Sequence, residues 1–581
     1  MNFPTLNELP TSREMIDVFG GYNHNLRIGD GEFYDMTNLT SSSYPVLSPR
    51  PQRGVYATPK KPTGLIAKDA LCYVDGEDFV INDYRIAMGL TDEPKTLISM
   101  GAYVIIMPDK KYVNTADFAT QTEFNIEASV TTSTTVTFSL CKLDGSDYED
   151  AMPSATAPEN PSNLDLWIDI SSSPHVLKQY SSSTAMWNPI ATTYIKITAS
   201  GIGKPFSEND GVTISGVTDD ELTDLNNTMV VWAKGDDYIV VTGIIDHIAS
   251  QSVNEPITVK RQMPNMDFII ESENRLWGCR YGVALNGEVV NEIYASKLGD
   301  FKNWHCFAGI STDSYAATVG TDGQFTGAIT HLGYPLFFKE NYVHKVYGNF
   351  PANYQIQTTA CRGVQNGCSK SLALVNETLF YKSRSAVCAY DGSLPTEISS
   401  ALGEMPYSDA VAGVLGNKYY ISMKDANEQY SLFAFDTAKG MWHREDDTQA
   451  VAFCNCRGDL YYIDYADNHI KTVLGTGSRD TSAVKWRAIT GTIGTDSPDR
   501  KYISRLVVRL SLDIGSSVVF LAEYDSGGDW EHLFTITGKS LNSVSIPIRP
   551  KRCDHLRLRI EGEGEAKIYS ICKTIEQGSD I

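Results

Sequence analysis

RLWGCRYGVALNGEVVNEIYASKLGDFKNW, residues 275–304, holds the pattern on which the fold turns. An apolar run opens at Arg275, a turn follows, a second strand carries Tyr294, and a Gly-Asp turn leads to Trp304. The same order of apolar strand, turn, aromatic strand and Asp-containing turn recurs in 328–348, 371–399, 411–446 and 450–473. Upstream, LCYVDGEDFVIND (71–83) pairs two apolar runs across Asp75-Gly76, a hairpin signal. Units of about 35–50 residues with this content predict the blades of a β-propeller. The spacing predicts about six to seven blades.

Outward from this repeat the chain changes character. From Thr115 to Lys260 the rhythm breaks, first into TEFNIEASVTTSTTVTFSLCKL, then into a Pro/Ser/Asn stretch, then into a compact run of strands. This predicts a β-domain inserted at an exposed propeller loop. It holds 20 acidic residues against six lysines and no arginine, so it carries much of the chain's acidity. Beyond Lys485, SRLVVRLSL places Leu506, Val508, Leu510 and Leu512 on one face and Arg505 and Arg509 on the other. HLRLRIEG does the same with Leu556, Leu558 and Ile560 against Arg557 and Arg559. Antiparallel strands with one buried face predict a C-terminal β-sandwich-like domain. The expected organisation is an arm over 1–54, first blades over 55–114, the insert over 115–260, further blades over 261–484 and the C-terminal domain over 485–581. A short helix is expected in the arm, where Thr11 and Glu14 have capping-box spacing and Gly20-Gly21 stops it.

Composition narrows the function. The 581 residues carry 49 Lys and Arg against 71 Asp and Glu, a net charge of −22. That balance disfavours wrapping nucleic acid, since affinity for phosphate rests on clustered cations. No apolar run reaches the length of about 20 residues that a spanning helix needs. The opening residues lack a basic start followed by an apolar core, so no secretory signal is expected. Eleven cysteines at irregular spacing read as reduced, mostly buried thiols, and Cys454/Cys456 and Cys361/Cys368 match no zinc or redox motif.

No nucleophile elbow, phosphate loop, zincin helix or dinucleotide fingerprint occurs. No catalytic, cofactor-binding or metal-binding residue is expected, and the chain is expected not to be an enzyme. The sequence TAKGMW (437–442) is the nearest approach to the repeated turn of sialidases, and it occurs once. Trp304 and Trp442, each a few residues after Asp300 and Asp436, are expected to pack between blades while the Asp closes a turn. The alternative for these indoles is a sugar-stacking platform. Asp219-Asp220 and Asp236-Asp237 are expected to be solvated turns, with no calcium-loop spacing.

The phrases Tyr44-Pro45-Val46-Leu47, Pro49-Arg50, Arg275–Trp304 and Gly367–Gly392 together resemble propeller-containing tail proteins of tailed bacteriophages, the tail nozzle and its relatives. That resemblance implies a structural virion protein in a phage tail, made in the host cytoplasm. It would form a hexameric ring that extends the DNA channel, retains the packaged genome and releases it at infection. Its partners would be tail adaptor or portal-proximal ring proteins, with double-stranded DNA passing through the lumen unbound. On this reading Asp219, Asp220, Glu221, Asp224, Asp236 and Asp237 form an acidic channel lining or surface patch that repels the duplex. Arg50, Arg53, Arg505, Arg509, Arg557 and Arg559 are candidate contacts to neighbouring subunits, and the arm is expected to be held by neighbours. The alternatives are a host-receptor or glycan-binding tail protein, with Trp167, Trp187 and Trp232 as candidate pocket aromatics, and a propeller glycosidase. The glycosidase would need two carboxylates about 5–9.5 Å apart across a cleft.

Overall fold

The computed structural model describes residues 11–148, 150–283, 287–479, 482–495, 499–538 and 540–577. The protein is a β-propeller with an inserted β-domain and a C-terminal sandwich-like domain; about half of it is strand and 3% helical. The chain divides into two compact units, one of Met1–Lys95, Phe338–Val343 and Thr359–Ile581, the other of Thr96–Phe337 and His344–Thr358.

In the first unit the blade pattern forms as the spacing predicts. Pro62–Lys68, Ala70–Asp75, Asp78–Ile81 and Tyr84–Ala87 make a four-stranded meander, with the tight turn at Gly76 (φ 63°). Positive φ there is the conformation glycine adopts without steric cost. Tyr407–Leu415, Lys418–Asp425, Tyr430–Asp436 and Met441–Asp446 make another meander. Ala450–Cys456, Asp459–Asp464 and Ile470–Thr472 lack a fourth strand of their own, and Gly54–Ala57 supplies it, pairing antiparallel to Ile470–Thr472. Trp442 is 1% exposed and its indole N–H donates to the Ile398 carbonyl, so it is core, as expected.

The arm departs from expectation. Thr11–Ile16 is a strand, not a helix, and pairs antiparallel with Ala566–Gln577 from Thr11↔Glu576 to Ile16↔Ile571. Six residues ahead of two glycines are too few to offset helix nucleation, while a 12-residue partner strand offers a ready ladder. The Lys573 ammonium, buried at 2% exposure, lies 2.9 Å from Glu14 Oε2 and 3.0 Å from Asp30 Oδ2. Gly21–Tyr22 and Glu32–Thr37 enter the ten-stranded sheet between Met441–Asp446 and Lys485–Thr490. The described arm is thus stitched into its own chain by backbone pairing. Residues 1–10 and 578–581 lie outside the described residues.

The C-terminal strands alternate as read from sequence. In Lys501–Leu512, Leu506, Val508, Leu510 and Leu512 are buried and Arg505 and Arg509 exposed. This strand sits in a sheet ordered Thr11–Ile16, Ala566–Gln577, Lys501–Leu512, Asn542–Ile546.

In the second unit, Phe268–Ser272, Arg275–Val283, Val289–Ala295 and Tyr315–Thr318 form a four-stranded blade. The insert folds as two main sheets over one core that includes Val136, Phe138, Ile195, Ile197, Ile214 and Val259. Met152–Ser154, Leu166–Asp169, Val176–Ser181 and Met186–Pro189 form a small sheet of their own. No helix among the described residues is long and apolar enough to cross a membrane.

Candidate functional site

The segment Leu298–Trp304 does two jobs in the second unit. Trp304 and Phe301 are buried with Ile105, Ile126 and Leu276 in one hydrophobic cluster. Asn303, fully buried, donates from Nδ2 to the Asn209 carbonyl at 2.7 Å and accepts the Gly211 amide on Oδ1 at 3.0 Å. These two bonds anchor the insert loop to the Gly-Asp turn of the blade.

Between them lies a cleft of about 760 Å³, lined by Tyr103, Tyr112, Asp210, Arg261, Asp300, Phe301 and Lys302 among others. Tyr103 and Tyr112 stand on neighbouring strands, Tyr103–Met107 and Lys111–Asn114, whose register (Tyr103↔Asn114, Ile105↔Tyr112) puts both rings on one face. With Phe301 they form an aromatic triangle with centroids 5.0–5.8 Å apart. The Lys302 ammonium donates to the Tyr112 hydroxyl at 2.8 Å.

Two carboxyl groups in this cleft have unlike surroundings. Asp210, 2% exposed, accepts Arg261 Nη1 at 2.6 Å and the Ser207 amide at 2.9 Å. Asp300 has no ion pair among the described residues; burial pushes its carboxyl above the ordinary range and the Asp210 charge adds to that, against the Lys302 amide and the Arg261 and Lys297 charges. Its Oδ1 accepts the Lys302 amide at 3.0 Å, the turn closure expected of it. The equivalent bond in the other unit runs from the Ala438 amide to Asp436 Oδ1 at 3.2 Å. The cleft thus brings aromatic side chains, an ion-paired carboxyl and a carboxyl whose burial favours protonation into one cavity.

The residues expected from sequence lie elsewhere. Asp220, Glu221, Asp224, Asp236 and Asp237 are exposed and Asp219 half-buried; all lie between strands of the insert, Asp224 in the short 3-10 helix Thr223–Leu225. Asp219 Oδ1 accepts the Glu221 amide and Asp237 Oδ1 the Gly201 amide. Glu221 also converges with Asp246 and His247, their ligating atoms within 4.8 Å of one another. Asp246 hydrogen-bonds His247 and raises its pKa. Arg50 and Arg53 are engaged inside the chain, with Asp446 at 3.1 and 3.2 Å, and Arg53 with Glu445 at 2.6 Å. Arg557 pairs with Glu523 and Arg559 with Glu561, leaving Arg505 and Arg509 as the exposed members of the set. Trp167 and Trp187 pack edge to face at 5.5 Å in the small insert sheet, and Trp232 donates to Thr242 Oγ1. None of these indoles lines the cleft; the aromatics that do are two tyrosines and two phenylalanines, Phe206 and Phe301, which no indole search finds.

No protein-family model and no curated protein matches the chain. Among solved structures it is similar to an exo-β-1,3-galactanase from Phanerochaete chrysosporium, at 8% identity over 52% of this chain and 94% of that one, with a TM-score of 0.21. It is also similar to the sialidase of Trypanosoma rangeli, at 9% identity over 98% and 96%, with a TM-score of 0.22. A glycoside hydrolase matches at 14% identity over 52% and 96%, with a TM-score of 0.20. The expectation of a chain without enzymatic activity is corrected against these neighbours, which are enzymes by name. At such identities and TM-scores they assign this chain no substrate.

Proposed function

We propose that this protein is a carbohydrate-engaging β-propeller of a bacteriophage tail, and that the cleft beside Asp300 is where the saccharide sits. The observation that carries the reading is the joining of the Tyr103–Tyr112–Phe301 triangle to two unlike carboxyls in one cavity. Tyr103, the half-buried ring of the three, lies against the apolar face of a pyranose, with the buried Tyr112 and Phe301 behind it. Asp210, Asp300 and Lys302 supply hydrogen bonds to its hydroxyls. Asp300, whose burial favours its protonated form, is the group suited to donate a proton to a glycosidic oxygen. The setting in a tail rests on the resemblance of Arg275–Trp304 and Gly367–Gly392 to phage tail propellers. The test is a glycan array followed by titration of any ligand found, with release of reducing ends measured on the same saccharides. Binding that is lost in Tyr103→Ala supports the cleft.

A second reading, the nozzle ring that guides DNA, is favoured by the exposure of Asp220, Glu221, Asp224, Asp236 and Asp237 on the insert. Electron microscopy of intact particles tests it: a ring collinear with the genome supports it, and a peripheral position favours the receptor-binding role.

A further inference from the structure

Three side chains of the C-terminal domain stand in series. Ser526 Oγ lies 2.7 Å from His555 Nε2, and His555 Nδ1 lies 2.8 Å from Asp554 Oδ2. The backbone holds them there. The loop after strand Ser517–Tyr524 turns at Asp525 and Ser526, whose φ values are 54° and 50°, and the Gly527 amide closes the turn on the Tyr524 carbonyl at 3.1 Å. Tyr524 is in register with Leu556, which sets the turn beside Asp554 and His555. The Asp525 amide donates to the His555 carbonyl at 3.0 Å, and the Asp554 amide donates to Asp525 Oδ1 at 2.7 Å. Left-handed φ suits glycine; a serine there carries a steric cost that glycine would relieve.

The order of the bonds fixes the protons. The hydrogen bond with His555 holds the Asp554 carboxyl below its ordinary range, so the carboxylate is an acceptor only. Neutral His555 therefore keeps its proton on Nδ1 and turns the Nε2 lone pair to the Ser526 hydroxyl. That is the order of a nucleophile, its base and the group that orients the base. Ser526 is exposed and His555 half-buried, so a ligand reaches the pair from solvent.

We propose that Ser526 and His555 form an esterase site, with Asp554 as its positioning residue and carboxylic esters as its substrate class. Ser526 Oγ forms a bond to the acyl carbon while its proton passes to His555 Nε2. The bond from that carbon to the alkoxy oxygen breaks, and His555 gives the proton to the departing alcohol. Water then attacks the acyl carbon, its proton passing through His555 to Ser526 Oγ, and the carboxylic acid leaves. The Ser526 amide makes no hydrogen bond to the described residues and is available to the carbonyl oxygen. Asp554 is 57% exposed, and water weakens its pull on the imidazolium. An alkoxide leaves more readily than an amine, so the site suits esters rather than amides. It belongs to the first unit and stands whether or not the Asp300 cleft takes a saccharide.

The test treats the full-length protein with a fluorophosphonate, locates the adduct by mass spectrometry, and follows hydrolysis of p-nitrophenyl acetate. The adduct is expected on Ser526, and His555→Gln is expected to slow both labelling and turnover about a hundredfold. Asp554→Asn is expected to lower kcat at least tenfold with KM unchanged, the mark of a misplaced base rather than a lost binding contact. Ser526→Gly is expected to abolish labelling and turnover yet melt no lower than the parent, which separates loss of the hydroxyl from loss of the fold. No adduct on Ser526, an adduct that forms as fast in His555→Gln, or hydrolysis that Ser526→Gly leaves undiminished overturns the proposal.

Discussion

Arg261 Nη1 donates to Asp210 Oδ2 at 2.6 Å, with both side chains more than nine-tenths buried, at 7% and 3% exposure. Arg261 closes the strand Thr258–Arg261, and its Nη2 also reaches the Ile126 carbonyl at 3.2 Å. The pair thus ties the insert loop that carries Asp210 to both ends of the insert. It also fixes the Asp210 carboxyl in the cleft that holds Asp300.

Breaking this pair from one side leaves a buried charge. Asp210→Asn is expected to cost about 3–5 kcal/mol, read from chemical denaturation. Replacing Asp210 and Arg261 together with apolar residues is expected to cost much less than the sum of the single changes.

Asp300 carries a pH signature. Its folded pKa is raised above the unfolded value, so protonation favours the folded state. The associated stability is present in acid, below the unfolded pKa, and is lost as pH rises through the folded one. Asp300→Asn keeps the acceptor for the Lys302 amide and removes the charge. The variant is expected to melt higher than the parent at neutral pH and equally in acid, in melting curves taken across pH.

His443 gives the opposite sign. It is buried, and burial first, with help from Lys418, lowers its pKa to about 3 against the pull of Asp436. Unfolding lets the imidazole protonate, so its contribution is intact above the unfolded value near 6.5 and declines as pH falls toward 3. His443→Gln is expected to flatten the acid limb of the stability profile over that window.

Lys573 tests the arm. With the cation removed in Lys573→Met, Glu14 and Asp30 lose their shared partner. The loss is expected to be about 1–3 kcal/mol, with faster amide exchange across Thr11–Ile16. Unchanged exchange there would show that backbone pairing alone holds the arm.

What was legible in the sequence follows from range. Leu506 to Leu512 alternate, and alternation is a local signal that a strand with one buried face must show. The Asp300 and Asp436 turns and the buried Trp304 and Trp442 are local too. The arm was misread because the capping spacing of Thr11 and Glu14 is local, whereas the competing partner, Cys572 and its neighbours, lies some 559 residues away. The cleft was invisible for the same reason: Tyr103 and Tyr112 come from one hairpin, Asp210 and Arg261 are 51 residues apart, and Asp300 sits on another blade. The basic residues of the Pro49–Arg53 stretch stood out, but only the fold shows that Glu445 and Asp446 engage them from within.

The most direct measurement is titration of the full-length protein with saccharides selected on a glycan array, comparing the parent with Tyr103→Ala and Trp187→Ala. The account predicts saturable binding that Tyr103→Ala weakens at least tenfold and Trp187→Ala leaves intact. Absence of any saccharide ligand, or binding lost in Trp187→Ala and kept in Tyr103→Ala, would contradict the assignment of the cleft.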